Sequence, residues 1–332
     1  MKLKRAMPMS LAQNILCNIF IVIVVNLFLD DVDAKGVVVM KDMVSVSISG
    51  SGQTDLLGGP IAAQLMISNW SSNSVEILLP YPNPNNLDFC SQSDAVENKS
   101  VEPQSVERTI PIYIAPSERY TTVYFLNRYM RFNKPGEYTV SYTLELPIGV
   151  VTKTGDSQHE TIVATGSFVV ALRPATEEEL RAKLSRYAAD LTSSDRRIKM
   201  ESAEALAFLE TPVAIDYLEP MLTIDNLEVI GIEALARHSS EKCHQLIVGM
   251  LAHPDSVVVA VALAAIKQAK ILVSRRLIQD LLTSSNSNIQ WLALDFLSAS
   301  PDKSDLEYVL PLLTDENSAV RSQAEAYIKA LQ

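Results

Sequence analysis

The chain has 332 residues, 48% of them hydrophobic, and a formal net charge of −11. The length exceeds one ordinary domain and the apolar share is enough to build real cores. The acidity excludes a nucleic-acid partner, which needs a basic face. From Pro174 onward about fifteen basic residues stand against about twenty-three acidic ones, so the second half carries most of the excess as solvated surface.

Lys2, Lys4 and Arg5 precede an apolar run from Ile15 to Leu29, and Val32-Asp33-Ala34 supplies small residues before a cut. This three-part layout predicts a secretory signal peptide over residues 1–34, cleaved after Ala34. The run is about fifteen residues long and contains Asn18 and Asn26, short of the roughly twenty that span a bilayer. An uncleaved N-terminal anchor is the alternative. Leu16 is too large for a lipoprotein cleavage site before Cys17. The expected location is the periplasm or the outside of the cell, with no other membrane contact. Only Cys90 and Cys243 then remain, so no disulfide framework is expected. Cys243 reads as a buried small hydrophobe and Cys90 as a free thiol in a polar loop. Asn69-Trp70-Ser71 and Asn98-Lys99-Ser100 match glycosylation sequons.

From Gly36 to Leu172 the apolar period is near two. Val44-Ser45-Val46-Ser47-Ile48-Ser49 alternates as a strand with one wet face does. Further strands are expected over 62–68, 74–79, 109–114, 120–126, 137–146 and 161–172, separated by Gly, Pro, Asn and Ser clusters. Such a set without amphipathic helices predicts an antiparallel β-sandwich over 36–172. Pro135 and Gly136 suit adjacent turn positions, and Tyr138 then leads a strand, its ring packing while its hydroxyl seeks a local partner. With the hairpin from Asn69 to Leu79, this segment resembles immunoglobulin-like domains. The stretch from Tyr81 to Glu107 lacks a period and reads as a long disordered or decorated connection, with a binding loop as the alternative.

Pro174 blocks ladder pairing, and Thr176 with Glu179 forms a capping box behind an acidic first turn of Glu177, Glu178 and Glu179. The short linker predicts that the two domains touch. Beyond it one phrase recurs at a spacing of about thirty residues, in the range of stacked repeats. Asp195 leads to Glu204-Ala205-Leu206-Ala207, Asp225 to Glu233-Ala234-Leu235-Ala236, and Asp255 to Ala264-Ala265-Ile266. Asn286 leads to Asp295-Phe296-Leu297, and Glu316 to Glu325-Ala326-Tyr327-Ile328. First helices of the pairs are expected over 212–222, 241–251, 274–282 and 304–313. Thr211 with Pro212 opens one of them, and Ser304 with Glu307 caps another. Tyr217-Leu218-Glu219-Pro220-Met221-Leu222 and Tyr308-Val309-Leu310-Pro311-Leu312-Leu313 share a layout that argues for duplication.

These Leu-Pro-Leu-Leu-type first helices, Asp-containing turns and Ala-rich second helices resemble HEAT repeats, particularly the short bacterial kind often labelled phycobilisome-lyase-like. Asp315-Glu316-Asn317-Ser318-Ala319-Val320-Arg321 is the nearest to the family phrase, with Arg321 able to pair with neighbouring carboxylates. Ile198-Lys199, Val229-Ile230 and Val258-Val259 lack that Arg. The resemblance implies a HEAT-type α-solenoid of about five units over 174–332. It implies no lyase activity, since such repeats serve many functions.

His238, Cys243, His244 and His253 are metal-ligand types close in sequence, but helical geometry turns Cys243 toward the repeat core and sends His244 and His253 to different sides. Asp156, Ser157 and His159 lie in one polar hairpin loop, where neighbours cannot form an in-line relay. The sequence contains no phosphate-cradling Gly-rich loop, zinc-protease helix or nucleophile elbow. No catalytic residue, metal or cofactor is therefore expected. Tyr113, Tyr120, Tyr124, Phe125, Tyr129 and Phe132 read as sheet packing, with Tyr129 to Phe132 as an alternative contact surface, and Trp291 reads as core.

The fold class is thus all-β followed by all-α, and the expected function is an exported, non-catalytic protein–protein interaction scaffold. Its protein partner is expected on the concave face built by the second helices, with Arg196, Arg197, Lys199, Glu228 and Arg321 near the edges. A secreted enzyme or enzyme inhibitor with a pocket at the domain junction is the alternative, and a structural module of the cell envelope a third possibility.

Overall fold

The computed structural model describes residues 39–41, 44–81, 86–99, 108–151 and 157–331, and the expected signal peptide lies outside them. Strand alternation in sequence becomes alternation in space: along β2 (Val44–Gly50), Val44, Val46 and Ile48 are buried and the serines between them half-buried. One sheet runs β1 (Val39–Lys41), β2, β4 (Ala62–Asn69), β9 (Arg119–Phe125). A second runs β3 (Thr54–Leu56), β12 (Ser157–Arg173), β11 (Gly136–Val151), β5 (Val75–Tyr81), β8 (Arg108–Ile114), with β6 (Leu87–Cys90) also on β11. β7 (Val96–Asn98) and β10 (Met130–Phe132) form a small third sheet. Val46, Ile48 and Leu65 from the first sheet share one core with Ile77, Tyr142, Leu144 and Phe168 from the second.

Two expectations change here. The stretch from 81 to 107 carries β6 and β7, too short to show a period on their own. The β11–β12 hairpin continues past its expected ends, pairing Pro147 with Thr161 and on to Val151 with Ser157, so Ser157 and His159 stand in a ladder rather than a loop. The expected turn chemistry is observed: Tyr138 is buried and its hydroxyl donates to the Lys134 carbonyl at 2.6 Å. Tyr142 is placed by a glycine, because a Cβ at Gly166 would lie 2.8 Å from the Tyr142 hydroxyl. That hydroxyl accepts from the Ile48 amide across the core at 3.3 Å.

The rest of the described chain is helical, in ten α-helices with 3₁₀ turns between them. They are α1 (Glu177–Asp190), α2 (Arg196–Ala207), α3 (Ile215–Leu218), α4 (Glu228–Leu235) and α5 (Glu241–Gly249). There follow α6 (Ser256–Gln268), α7 (Arg275–Leu281), α8 (Ser287–Ser298), α9 (Leu306–Val309) and α10 (Ser318–Ala330). Thr176 and Glu179 make the expected capping box, and Asp195, Asp255 and Asn286 cap α2, α6 and α8 through their side chains. Elsewhere the caps move. Asn317, not Glu316, caps α10; Leu227 opens α4 without a side-chain bond; and Asp302, not Ser304, accepts at the start of the last pair. Pro220 and Pro311 do not kink one long helix. Each begins a 3₁₀ turn, Glu219–Thr223 and Leu310–Thr314, which ends a four-residue α-helix.

The helical core is continuous from Leu184 to Tyr327 and distinct from the β core. Its last pair is tied by Asp305, which is fully buried. Arg275 Nε and Gln279 Nε2 both donate to Asp305 Oδ1 at 2.8 Å, and the Tyr327 hydroxyl donates to Oδ2. Burial pushes this carboxyl up, but the Arg275, Tyr327 and Gln279 donors outweigh it and hold it below the usual carboxylate range.

Candidate functional site

The β region sits directly on the first helices. Phe125 meets Tyr187 of α1 edge to face, with centroids 6.0 Å apart. Lys183 Nζ reaches Asp55 Oδ1 at 2.7 Å and the Pro60 carbonyl at 3.0 Å. Arg128, in the turn after β9, and Arg237, after α4, both rest on the Phe208 ring, at 4.8 and 4.7 Å from its centroid. Glu204 of α2 interacts with Arg128 and Tyr124 of the β region, and burial pushes its carboxyl up to about 7, with Arg128 only partly opposing. Burial likewise raises Glu233 of α4, against Arg237 and Arg128.

A cavity of about 270 Å³ opens at this joint, walled by Met130, Leu180 and Phe208 and crossed by Lys99, Arg131 and Glu210. Lys99 Nζ and Arg131 Nε meet the Glu210 carboxylate at 2.6 and 3.1 Å. Burial pushes Glu210 up, yet the Lys99 hydrogen bond and the charges of Lys99 and Arg131 outweigh it and leave it below the usual range. Thr211 supplies the one hydroxyl among the described lining residues, and no His or Cys stands among them. The chemistry of this cavity is ion pairing between two units.

The second helices α2, α4, α6, α8 and α10 pack in succession. At equivalent positions their outer faces carry Met200, Val229, Ala260, Trp291 and Arg321, and one turn on Glu204, Glu233, Ala264, Asp295 and Glu325. The first row is largely apolar and the second largely acidic. Trp291 is 39% exposed and Val257, at the start of α6, is 59% exposed. Trp291 is therefore on the surface, not in the core as its apolar neighbours suggest, while Tyr129 and Phe132 are buried.

The five residues expected at the groove edges lie on three of the second helices. Arg196 and Arg197 open α2, Lys199 is half-buried one turn on, Glu228 begins α4, and Arg321 lies on α10. Arg197 pairs with Glu201 at 3.1 Å and interacts with Tyr120 of β9, so it belongs to the rim of the joint. Among the described residues Arg321 pairs with no carboxylate side chain: its Nη1 donates to the Asp315 and Glu316 carbonyls at 2.7 and 3.0 Å, closing its own turn. Trp291 and Val257 were the readable signals for this face, but a lone aromatic or valine on a helix looks the same in sequence whether it faces in or out.

Cys243 is fully buried beside Ser240 Oγ, and His253 Nδ1 accepts from the Asp255 amide at 3.1 Å. Among the described residues no group of three or more His, Cys, Asp or Glu is placed to hold a metal. Cys90 is a free thiol, but on β6 rather than in a loop. Both sequon amides are in use: Asn69 is buried and its Nδ2 donates to the Asn73 and Ile114 carbonyls, while Asn98 Nδ2 donates to the Ser91 carbonyl. Among the described residues no helix is long and apolar enough to cross a membrane.

No family model matches the chain, and no curated protein does. Solved structures similar to it include an engineered protein, at 24% identity over 48% of this chain and 86% of that one, with a TM-score of 0.29. A designed armadillo repeat protein in complex with peptide (KR)4 shares 15% identity over 46% of this chain and 82% of its own, with a TM-score of 0.30. The ASH/PapD-like domain of human CEP192 shares 8% identity over 45% of this chain and 93% of its own, with a TM-score of 0.20.

Proposed function

We propose that this protein is an exported, non-catalytic protein–protein interaction scaffold, in which an immunoglobulin-like β-sandwich is fixed to the first turn of a HEAT-type α-solenoid. The observation that carries the reading is the division of the second-helix face. The β region occupies it at α2, through Glu204 and Phe208, and reaches Glu233 of α4 through Arg128. From α6 onward the face is open and presents Val257 and Trp291 to solvent. Exposed large apolar groups rimmed by acidic ones mark a contact surface more readily than a solvated one. Aromatic anchors such as Trp291 carry a large share of the energy in protein interfaces.

The test is crosslinking of the purified protein in the envelope fraction of its own cells, with Trp291→Ala and Val257→Asp beside it. A defined partner is expected with the native chain, at least about tenfold less with either variant, as loss of one interface anchor gives. A folded native chain that recovers no partner, or variants that recover it equally, would defeat the reading. Sequencing of the mature N-terminus is expected to begin at Lys35.

A second reading, a secreted enzyme or enzyme inhibitor acting at the junction, draws on the cavity that holds Lys99, Arg131 and Glu210. It predicts that a Lys99→Met chain, while still folded, loses a turnover or inhibition that the native chain shows.

A further inference from the structure

Between Asp255 and Asp280 no acidic residue occurs, while Lys267, Lys270, Arg275 and Arg276 all fall there. In a chain of net charge −11 this is a local reversal of sign. The fold gathers three of the four at one corner. The end of α6, the connection to α7 and the end of α8 enclose an apolar cavity of about 310 Å³, with Ile266, Ile278 and Phe296 in its walls and Lys267, Lys270 and Arg275 around it.

The cations differ in how they are spent. Lys267 is paired with Asp295, Arg275 with Asp305, and Arg276 with Asp280. Lys270 has no side-chain partner among the described residues. It is also held in the left-handed region, at φ 54°, just past the end of α6. The Ile271 amide bonds back to the Ile266 carbonyl at 2.9 Å, the helix-ending geometry at which glycine is the usual residue. A lysine there strains the backbone, and among the described residues no partner of its ammonium group offsets that strain. Two residues on, Leu272 is 97% exposed.

We propose that this corner docks an acidic polypeptide segment of a partner protein. An apolar side chain of the segment fills the cavity, a carboxylate next to it pairs with Lys270, and the segment's backbone runs across Leu272. Charge complementarity selects the acidic partner: the corner has one unspent cation at its rim and no acidic residue of its own between Asp255 and Asp280. Leu272 selects a polypeptide over a small organic acid, because an acid that filled the cavity alone would leave this side chain in water. The inference rests on the reading of the chain as a partner-binding protein. It uses a different surface, at the opposite end of α6 from Val257.

The test is a fluorescence-anisotropy titration of the full chain with a labelled hexapeptide, Leu-Phe flanked on each side by Asp and Glu. A Lys-flanked counterpart serves as control and laurate as competitor. The acidic peptide is expected to bind with a Kd below about 1 mM, and the Lys-flanked one not to bind. Lys270→Glu is expected to weaken binding roughly tenfold or more, through loss and reversal of one charge-assisted contact. Lys270→Gly separates function from structure: it is expected to raise the melting temperature, by removing the strain, while weakening the peptide. Trp291→Ala is expected to leave this binding unchanged. The proposal is overturned if the folded chain ignores the acidic peptide, if Lys270→Glu binds it equally, or if laurate alone enters. It is also overturned if Trp291→Ala abolishes the binding while Lys270→Glu is silent, which would move the peptide to the second-helix face and leave the proposed function standing.

Discussion

Glu204 lies where α2 is covered by the β region, and its carboxyl is pushed up to about 7 by burial. A folded-state value above the unfolded one means that the folded chain holds the proton more tightly. The stability this provides is complete below about pH 4.5 and is lost as pH rises through about 7. A shift of this size corresponds to about 2 to 3 kcal/mol for a half-buried group. Glu233 is raised in the same direction and adds to the effect. The melting temperature is therefore expected to fall between about pH 5 and pH 8, and Glu204→Gln to flatten that slope, as read by calorimetry across the range. Carboxylates held low, such as Asp305 and Glu210, act in the opposite sense and only in acid, so they do not mask it.

At the level of elements, close approach matters as much as propensity. Gly231 lies inside α4, where alanine would ordinarily favour the helix by about 1 kcal/mol. A Cβ there would meet Met221 Cβ at 3.1 Å and Leu222 Cδ2 at 3.2 Å in the preceding turn. Gly231→Ala is thus expected to destabilise by about 1 to 3 kcal/mol, a crowding cost that exceeds the propensity gain, measured by urea unfolding. The same contrast between local and distant causes explains what could be read in advance. The caps at Thr176, Asp195, Asp255 and Asn286 were legible because an N-cap depends on residues two and three further on. β6 and β7 were not, because three or four residues show no period and their partners, β11 and β10, lie more than thirty residues away. The proline-bearing first helices were legible as helices, but their split into α and 3₁₀ pieces was not. Trp291 was misplaced inward for a related reason: its helix buries Ile289, Gln290, Ala293 and Leu294 around it, and only the packing of α8 decides which side is left out.

For the whole molecule, the joint sets which helix faces stay exposed. Phe208 supports two guanidiniums, one from each unit, and Arg173 at the end of β12 pairs with Glu179 of the α1 capping box at 2.7 Å. Phe208→Ala is expected to leave the helical signal in circular dichroism unchanged while raising the radius of gyration and speeding protease cleavage between β12 and α1. Equal scattering and equal cleavage rates would show that the remaining ion pairs hold the joint without the ring. The two-part organisation was visible in the change of period at Pro174. The surface consumed by the joint was not, since it depends on which helix face meets β9, a pairing across distant segments.

The parallel pairing of β3 with the end of β12 joins Thr54 to Ala171 and Leu56 to Arg173. During synthesis this closes the second sheet with its last residues, so early β strands wait for more than a hundred residues to emerge. Such non-local pairing is intrinsically slow, whereas each helix pair needs only its neighbour. The ribosome therefore delivers α1 immediately after the strand that completes the sheets, and the helical pairs are added one by one onto a β region that can already be finished. A chain made in this order builds its own template first.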